Sequence, residues 1–200
     1  MRVRLGTLIF IIAASSLLVS CFTTDIGIQV PKGYSLVHLA GLDGAILKPN
    51  GWHFYTGGTS NSVVYAITKE PVTATNGYLT GFRIEVVPDV SKITHVKPSE
   101  YANTVLADYP KLRVITKCLD CEYATGQGDV KQQEWIVDQT VNVSGSSVIC
   151  RVGINTMAID RLDLLVVLIY GTPKEEWGVN ESIYQTVRKK IRILGSHPGK

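Results

Sequence analysis

Apolar and polar positions divide this chain into an uncharged N-terminal run, a block of short strand-like segments, a helix-like segment, a second block of strands and a terminal helix. Alternating or β-branched stretches predict strands. These stretches cover residues 34–39, 45–47, 52–55, 63–68, 81–88, 112–117, 130–140 and 148–158. Within 130–140, alternation places Trp135 and Val137 on one face and Glu134 and Ile136 on the other.

Two junctions in this pattern carry specific predictions. Pro49-Asn50-Gly51 separates two of the short segments. Asn-Gly readily takes positive φ, so the pattern predicts a hairpin that pairs 45–47 with 52–55. The stretch 162–170 is nearly all apolar, which predicts a central strand covered on both faces.

Helical periodicity appears twice. Pro98-Ser99-Glu100 is a typical helix start, and Pro110 ends a predicted helix of about ten residues. The terminal helix is predicted to begin near Asn180 and to stop at Gly195. Its apolar stripe consists of Ile183, Val187, Ile191 and Leu194. Strands with interspersed helices predict an α+β fold, in which an antiparallel sheet carries helices packed on its faces.

The N-terminus has the layout of a secretory signal. Arg2 and Arg4 precede an uncharged run over residues 5–18, which is too short for a stable spanning helix of about 20 residues. Leu18-Val19-Ser20-Cys21 resembles the lipobox of bacterial lipoproteins. The resemblance implies a signal peptide over 1–20, cleavage before Cys21, and fatty acyl chains such as palmitate on that cysteine. The alternative is an ordinary cleaved signal that leaves Cys21 free or disulfide-bonded.

A lipid anchor would fix the place of the protein. Two or more acyl chains hold stably in a bilayer. Phe22 stands where the enteric inner-membrane retention signal has Asp, so the resemblance implies an outer membrane, facing the periplasm, in a Gram-negative source. Residues 21–32 are interpreted as the lipidated start and tether, 33–195 as one domain, and 196–200 as a tail.

Charge argues against one class of partner. The whole chain carries +3, and the predicted signal contains two Arg and no acid, so the mature charge is +3 − 2 = +1. Nucleic-acid binding would require a basic face, so we expect no nucleic-acid partner. Arg188, Lys189, Lys190 and Arg192 form the one basic cluster. It is interpreted as a solvated helix end favoured by the macrodipole, with a lipid-headgroup contact as the alternative.

Cysteines and tryptophans are the remaining residues with chemical possibilities. Cys118, Cys121 and Cys150 remain after Cys21, and a disulfide could join Cys118 to Cys121 or close a longer loop to Cys150. The sequence leaves that choice open. Trp52, Trp135 and Trp177 are interpreted as packing residues, with a ligand cleft or partner face as the alternative. Asp160 and Asp163 flank a turn, and paired acid chemistry there would require a cleft.

The order of elements resembles that of the PsbP family of extrinsic photosystem subunits and their bacterial lipoprotein relatives, including DcrB-like envelope proteins. The resemblance covers about residues 33–195. It rests on the Pro-x-Gly-Trp turn over 49–52 and on an apolar strand followed by Pro, Trp and an amphipathic helix over 166–194. It implies an α/β/α sandwich used for docking, and it transfers no catalytic residue.

The sequence therefore predicts a lipid-anchored, non-enzymatic docking or assembly domain with a protein partner. It predicts no cofactor and no metal site. A small-ligand-binding lipoprotein is the second hypothesis, and a thiol or metal enzyme is the third. The chain contains no Gly-x-Ser-x-Gly motif, and the residues after Cys121 are a poor helix start for a redox centre.

Overall fold

The computed structural model describes residues 28–39, 44–59, 61–72, 78–107, 113–119, 130–143 and 146–193. Cys21, Cys121, the predicted signal, most of the predicted tether and the tail lie outside these residues. The strands and helices of the described part follow. The strands are β1 (Tyr34–Leu39), β2 (Gly44–Pro49), β3 (His53–Gly58), β4 (Val63–Thr68), β5 (Gly81–Val87), β6 (Arg113–Leu119), β7 (Val130–Val143), β8 (Ser146–Ile159), β9 (Leu164–Pro173) and β10 (Arg192–Ile193). The helices are α1 (Val90–Thr94), α2 (Pro98–Ala107) and α3 (Trp177–Lys190).

These elements form an α+β sandwich with antiparallel sheets, as the pattern predicts. Seven strands make the main sheet in the order β3-β4-β5-β9-β8-β7-β6, and three make a small sheet in the order β1-β2-β10. The apolar strand β9 lies between β5 and β8, so its predicted central position is confirmed. None of the helices in the described part is long and apolar enough to cross a membrane.

Alternation along β9 explains the two-sided core. Leu164, Val166, Leu168 and Tyr170 join one buried cluster, together with side chains from the small sheet and α3. Leu165 and Val167 join a second cluster on the opposite face, which includes Val90 of α1 and Ala102 of α2. Period-two alternation in a strand covered on both sides produces this division.

The predicted hairpin between β2 and β3 is wrong, although both strands and the turn form. The turn is closed by the Trp52 amide, which donates to the Pro49 carbonyl at 3.2 Å, and Gly51 takes φ +80°. Instead of pairing with each other, β2 pairs with β1 and β10, and β3 pairs with β4. Because β2 belongs to the small sheet and β3 to the main sheet, the chain passes from one sheet to the other at this turn. The side chains of β2 are almost entirely buried.

The terminal helix also differs from the prediction. It begins at Trp177 rather than near Asn180, and it ends at Lys190, after which β10 pairs with β2. Its buried side is formed by Trp177, Asn180, Tyr184, Val187 and Arg188, with Ile183 only half-buried. Large aromatic side chains set this orientation, because Tyr184 stacks on Tyr170 with ring centroids 5.5 Å apart. The predicted stop at Gly195 lies outside the described residues.

Candidate functional site

A buried polar cluster lies between α3 and the main sheet. The Tyr184 hydroxyl donates to Glu134 Oε1 at 2.6 Å, and Arg188 Nη1 donates to Glu134 Oε2 at 2.5 Å. Arg188 also lies against the Tyr184 ring, with its guanidinium carbon 5.5 Å from the centroid. The residues Glu134 and Arg188 are 8% and 7% exposed. The Glu134 carboxylate is paired with the Arg188 guanidinium and enclosed by the fold. The cluster is therefore suited to holding α3 on the sheet rather than to reacting with a solute.

This cluster corrects the interpretation of the basic segment. Arg188 is buried and ion-paired, so it is not part of a solvated helix end. Arg188 directly follows Val187, and both residues lie on the side of α3 that faces the sheet. The sequence contains no local signal for this pairing, because Glu134 is 54 residues away in β7.

A second charged cluster lies on β7 and β8, next to the turn that precedes α3. Arg151 Nε donates to Asp138 Oδ1 at 2.8 Å, and Lys174 Nζ lies 3.1 Å from Asp138 Oδ2. The Asp138 side chain is 7% exposed. The hydrogen bond from Arg151, helped by Lys174, lowers the pKa of Asp138 although burial opposes that shift. The carboxylate therefore stays ionised and holds the strands together.

Asp160 and Asp163, the two acids flanking a turn, serve the helices of the opposite layer. Asp163 Oδ1 and Oδ2 accept from the backbone amide and hydroxyl of Ser91 at 2.8 and 2.6 Å. Asp160 Oδ1 and Oδ2 accept from the amide and hydroxyl of Ser99 at 2.9 and 2.8 Å. Each carboxylate satisfies amide hydrogens at the start of a helix, as a local capping residue would. They are therefore capping groups supplied from a distant part of the chain.

The cysteines have different environments. Cys118 on β6 is disulfide-bonded, whereas Cys150 on β8 is a free, buried thiol. Cys118 of β6 lies opposite Glu134 of β7, and Cys150 of β8 lies opposite Gln139 of β7. The two cysteines are therefore two strand spacings apart across the sheet and five residues apart along it. That offset is about 19 Å, far beyond disulfide reach, so the longer link to Cys150 does not form. Because Cys121 lies outside the described residues, the shorter link stays a prediction.

Burial is the main cause that raises the pKa of the Cys150 thiol, and the negative charge of Glu175 raises it further.

The structure does not bring the three tryptophans together. Trp177 packs beside Tyr170 and Tyr184 under α3, with centroids 5.9 and 5.8 Å away. Trp52 lies 6.3 Å from Phe82 at the margin of the same cluster. Trp135 belongs to the cluster on the opposite face of the sheet. No single cleft can be lined by all three side chains, so packing is the role that this placement supports.

Metal chemistry has no site in the described part of the chain, where no three His, Cys, Asp or Glu side chains come together as possible ligands. The polar clusters described above tie elements of the fold to one another. A binding function would therefore use the surface of the protein.

The candidate interface is the edge of the main sheet formed by β6 and the end of the β7–β8 hairpin. Three large apolar side chains are exposed there, namely Val114 at 52%, Ile115 at 42% and Ile149 at 50%. The register between β6 and β7 shifts between Val114 and Thr116, which places Ile115 at a β-bulge. Sequence patterns do not predict this exposure, because these residues are as apolar as those of the core.

The hairpin extends past β9. β7 and β8 pair over 14 residues each, whereas β9 reaches only Cys150–Ile159 of β8. The described part of β6 reaches only Gln133–Asp138 of β7. Among the described residues, Gln139–Val143 of β7 pair only with β8. Ile149 lies in this projecting part, opposite Thr140.

Comparison with protein-family models gives no match, and neither does comparison with curated protein sequences. Among solved structures, the chain is similar to the Saccharomyces cerevisiae Ran-binding protein Mog1p, with 14% identity, a TM-score of 0.47 and coverage of 81% of this chain and 96% of that one. It is similar to a point mutant of Mog1, with 16% identity, a TM-score of 0.48 and coverage of 82% and 97%. It is also similar to cyanobacterial PsbP (CyanoP) from Synechocystis sp. PCC 6803, with 14% identity, a TM-score of 0.47 and coverage of 88% and 99%. The likeness is one of fold.

Proposed function

We propose that this protein is a membrane-anchored, non-enzymatic docking protein of a bacterial cell envelope. In this proposal, acyl chains on Cys21 hold it at the bilayer, and the edge formed by β6 and the projecting hairpin binds a protein partner. The observation that carries the docking role is the exposure of Val114, Ile115 and Ile149 on this edge. Val114 is opposite Val137 and Ile149 is opposite Thr140, so apolar side chains are exposed on both faces of this edge. A partner that wraps around the edge would cover both, and exposed apolar side chains favour such a protein contact.

The shape of this edge suits a protein better than a small molecule. It is a projecting strand pair beside an edge strand, whereas small ligands are enclosed in concave pockets. Edge strands can also accept a strand from a partner through backbone hydrogen bonds. The buried carboxylates of Glu134 and Asp138, by contrast, are bonded to groups of the fold itself.

The lipid anchor is supported by the sequence. Leu18-Val19-Ser20-Cys21 follows an uncharged run and has the residue types of a lipobox. Intact-mass analysis of the native protein tests it directly. We expect a chain that begins at Cys21 with the added mass of its acyl groups, and an uncut chain without lipid would overturn the anchor.

Site-specific photo-crosslinking in the source cells tests the docking edge. A photoreactive amino acid is placed at Ile149 or at Val114. The control position is Val72, which is 37% exposed and whose amide donates to the Tyr55 hydroxyl of β3, the strand at the opposite edge of the main sheet. We expect the two edge positions to capture the same protein and Val72 not to capture it. In addition, Ile149→Asp should reduce recovery of that protein about tenfold while the melting temperature stays unchanged. Equal capture at all three positions would contradict the proposal.

A further inference from the structure

The small sheet and the parts of the chain that flank it are basic. In the described parts of 28–59 and 187–193 there is no Asp or Glu, and Asp43, the one acid of these ranges in the sequence, lies outside the described residues. Six Lys or Arg side chains occur there: Lys32, Lys48, Arg188, Lys189, Lys190 and Arg192. Arg188 is paired with Glu134, and Lys48 Nζ donates to the carbonyls of Pro49 and Trp52. The other four are exposed or half-buried, although Arg192 Nη1 also donates to the carbonyls of Lys189 and Ile191 at 3.4 and 3.1 Å. This side of the molecule therefore presents positive charge without a described acid to offset it.

Strand pairing brings these four residues to one small sheet. Arg192 is opposite Ala45 in β2, directly after Lys189 and Lys190 at the end of α3. Lys32 comes two residues before Tyr34, which is opposite Pro49 at the other end of β2. Ala45 and Pro49 are about 14 Å apart at the usual strand rise. Arg192 is therefore in the small sheet, and Lys32, Lys189 and Lys190 are within three residues of its strands.

The same sheet is where the N-terminal segment joins the domain. Ile28 packs against the core cluster, and the Tyr34 amide donates to the Pro31 carbonyl at 3.2 Å. The Asn50 amide donates to the Gly33 carbonyl at 2.9 Å. Six residues, 22–27, separate Cys21 from Ile28, so the two are seven residue steps apart. Fully extended, seven steps reach at most about 25 Å.

From the length of this segment and the charge of the sheet, we infer that the small sheet faces the membrane and that Lys32, Lys189, Lys190 and Arg192 contact anionic lipid headgroups. The inference rests on the proposed lipid anchor at Cys21. An anchor at most about 25 Å from Ile28 keeps this side of the domain near the bilayer. Basic side chains that come within a screening length of about 8 Å of an anionic leaflet are attracted to it.

The distribution of acids limits the contact to this side. Glu175, Glu176 and Glu181 lie at or before the first half of α3, so an anionic surface would repel that end of the helix. Arg188, next to Lys189, reaches Glu134 of β7, whereas Ile149 is opposite Thr140, six residues further along β7. Six residues of a strand span about 20 Å. The orientation therefore leaves the Ile149 end of the hairpin away from the bilayer.

Lysine footprinting of the full lipoprotein tests the orientation. The purified chain is reconstituted in phosphatidylcholine vesicles with or without phosphatidylglycerol, and its lysines are acetylated under limiting conditions. We expect acetylation of Lys32 and Lys189 to be slowed at least about threefold by phosphatidylglycerol and restored by high salt. Lys92 and Lys97, exposed residues of the α1 and α2 layer, are the internal controls and should be unaffected.

Charge reversal provides the matched variants. Lys189→Glu with Lys190→Glu should remove the protection of Lys32, whereas Lys92→Glu with Lys97→Glu should leave it intact. Intact mass is measured on the same samples. Equal acetylation of all these lysines on a chain acylated at Cys21 would overturn the orientation and leave the anchor standing. A chain without acyl groups would overturn the anchor and, with it, this inference.

Discussion

Gly153 shows how a single side chain decides the fit of α3 on the sheet. A Cβ added at Gly153 would lie 2.6 Å from Cζ of Tyr184, whose ring is buried and whose hydroxyl is bonded to Glu134. The ring has no room to move aside without losing that hydrogen bond. The absence of a side chain at Gly153 is therefore required for the helix to approach.

We predict that Gly153→Ala lowers the free energy of unfolding by about 2 kcal/mol, because overpacking a filled core costs this much. Urea denaturation measures the change. The control is Gly171→Ala on β9, where the nearest atom to the new Cβ would be Val152 Cγ2 at 3.9 Å. Gly171→Ala should change stability by less than about 0.5 kcal/mol. An equal effect of the two substitutions would contradict the close approach of Tyr184.

The buried thiol of Cys150 should be unreactive in the native protein. Its thiol is buried, and burial raises its pKa, so the reactive thiolate is both scarce and inaccessible. We expect iodoacetamide to leave Cys150 unmodified in the native protein at pH 8 and to modify it fully in urea. Mass spectrometry of the peptide that contains Cys150 measures both states. Rapid modification of the native protein would revive the thiol-enzyme hypothesis.

The elements of the α1 and α2 layer depend on carboxylates from the β8–β9 turn. Asp163→Asn keeps a residue that tolerates the left-handed conformation at φ +49° but weakens the bonds to Ser91. We predict a loss of about 1 kcal/mol and faster amide hydrogen exchange in α1. The control is Asp89→Asn, since Asp89 is also left-handed at φ +52° but its side chain makes no capping bond. Unchanged exchange in Asp163→Asn would show that the cap is dispensable.

Helix α3 depends in the same way on Glu134. Glu134→Leu would leave the Arg188 guanidinium buried without its carboxylate, so we predict a loss of about 3–5 kcal/mol. Adding Arg188→Met removes the buried charge, and the double variant should be more stable than Glu134→Leu alone. Chemical denaturation of both single variants and of the double variant measures this coupling. Strictly additive effects would show that the two groups do not interact.

The stability of the whole molecule should depend on pH through Asp138. Its pKa is lowered in the folded protein by the Arg151 hydrogen bond and by Lys174, relative to an ordinary value of 3.8. A lowered folded pKa gives stability that is fully present above the unfolded pKa and is lost as pH falls through the folded pKa. We therefore expect a decline that begins near pH 4 and deepens below it.

Asp138→Asn tests this dependence. At pH 7 the variant should be less stable by about 2 kcal/mol, since a charge-assisted hydrogen bond is weakened. Between pH 5 and pH 2 it should lose less stability than the parent protein, because the titrating group is gone. Denaturation curves across this range measure both effects. Parallel pH profiles for the two proteins would contradict the assignment.

Local sequence patterns predicted most elements because each pattern has a local physical cause. Alternation identified β1, β4 and β5 and placed Trp135 and Glu134 on opposite faces, since neighbouring strand side chains point in opposite directions. The start of α2 followed from its proline. The short helix α1 was missed, because five residues carry no clear periodicity. The strand β10, two residues long, was missed for the same reason.

The sequence by itself determined the α+β class, the central place of β9 and the motif at Cys21, because these depend on neighbouring residues and on composition. Only the tertiary structure decided that β2 and β3 enter different sheets, that Arg188 is buried on Glu134, that Asp160 and Asp163 cap helices, and that one apolar edge is exposed. Each of these depends on groups distant in the chain, such as Glu134 and Arg188, which are 54 residues apart. Contacts of that kind are fixed when the layers pack, and a local pattern contains no record of them.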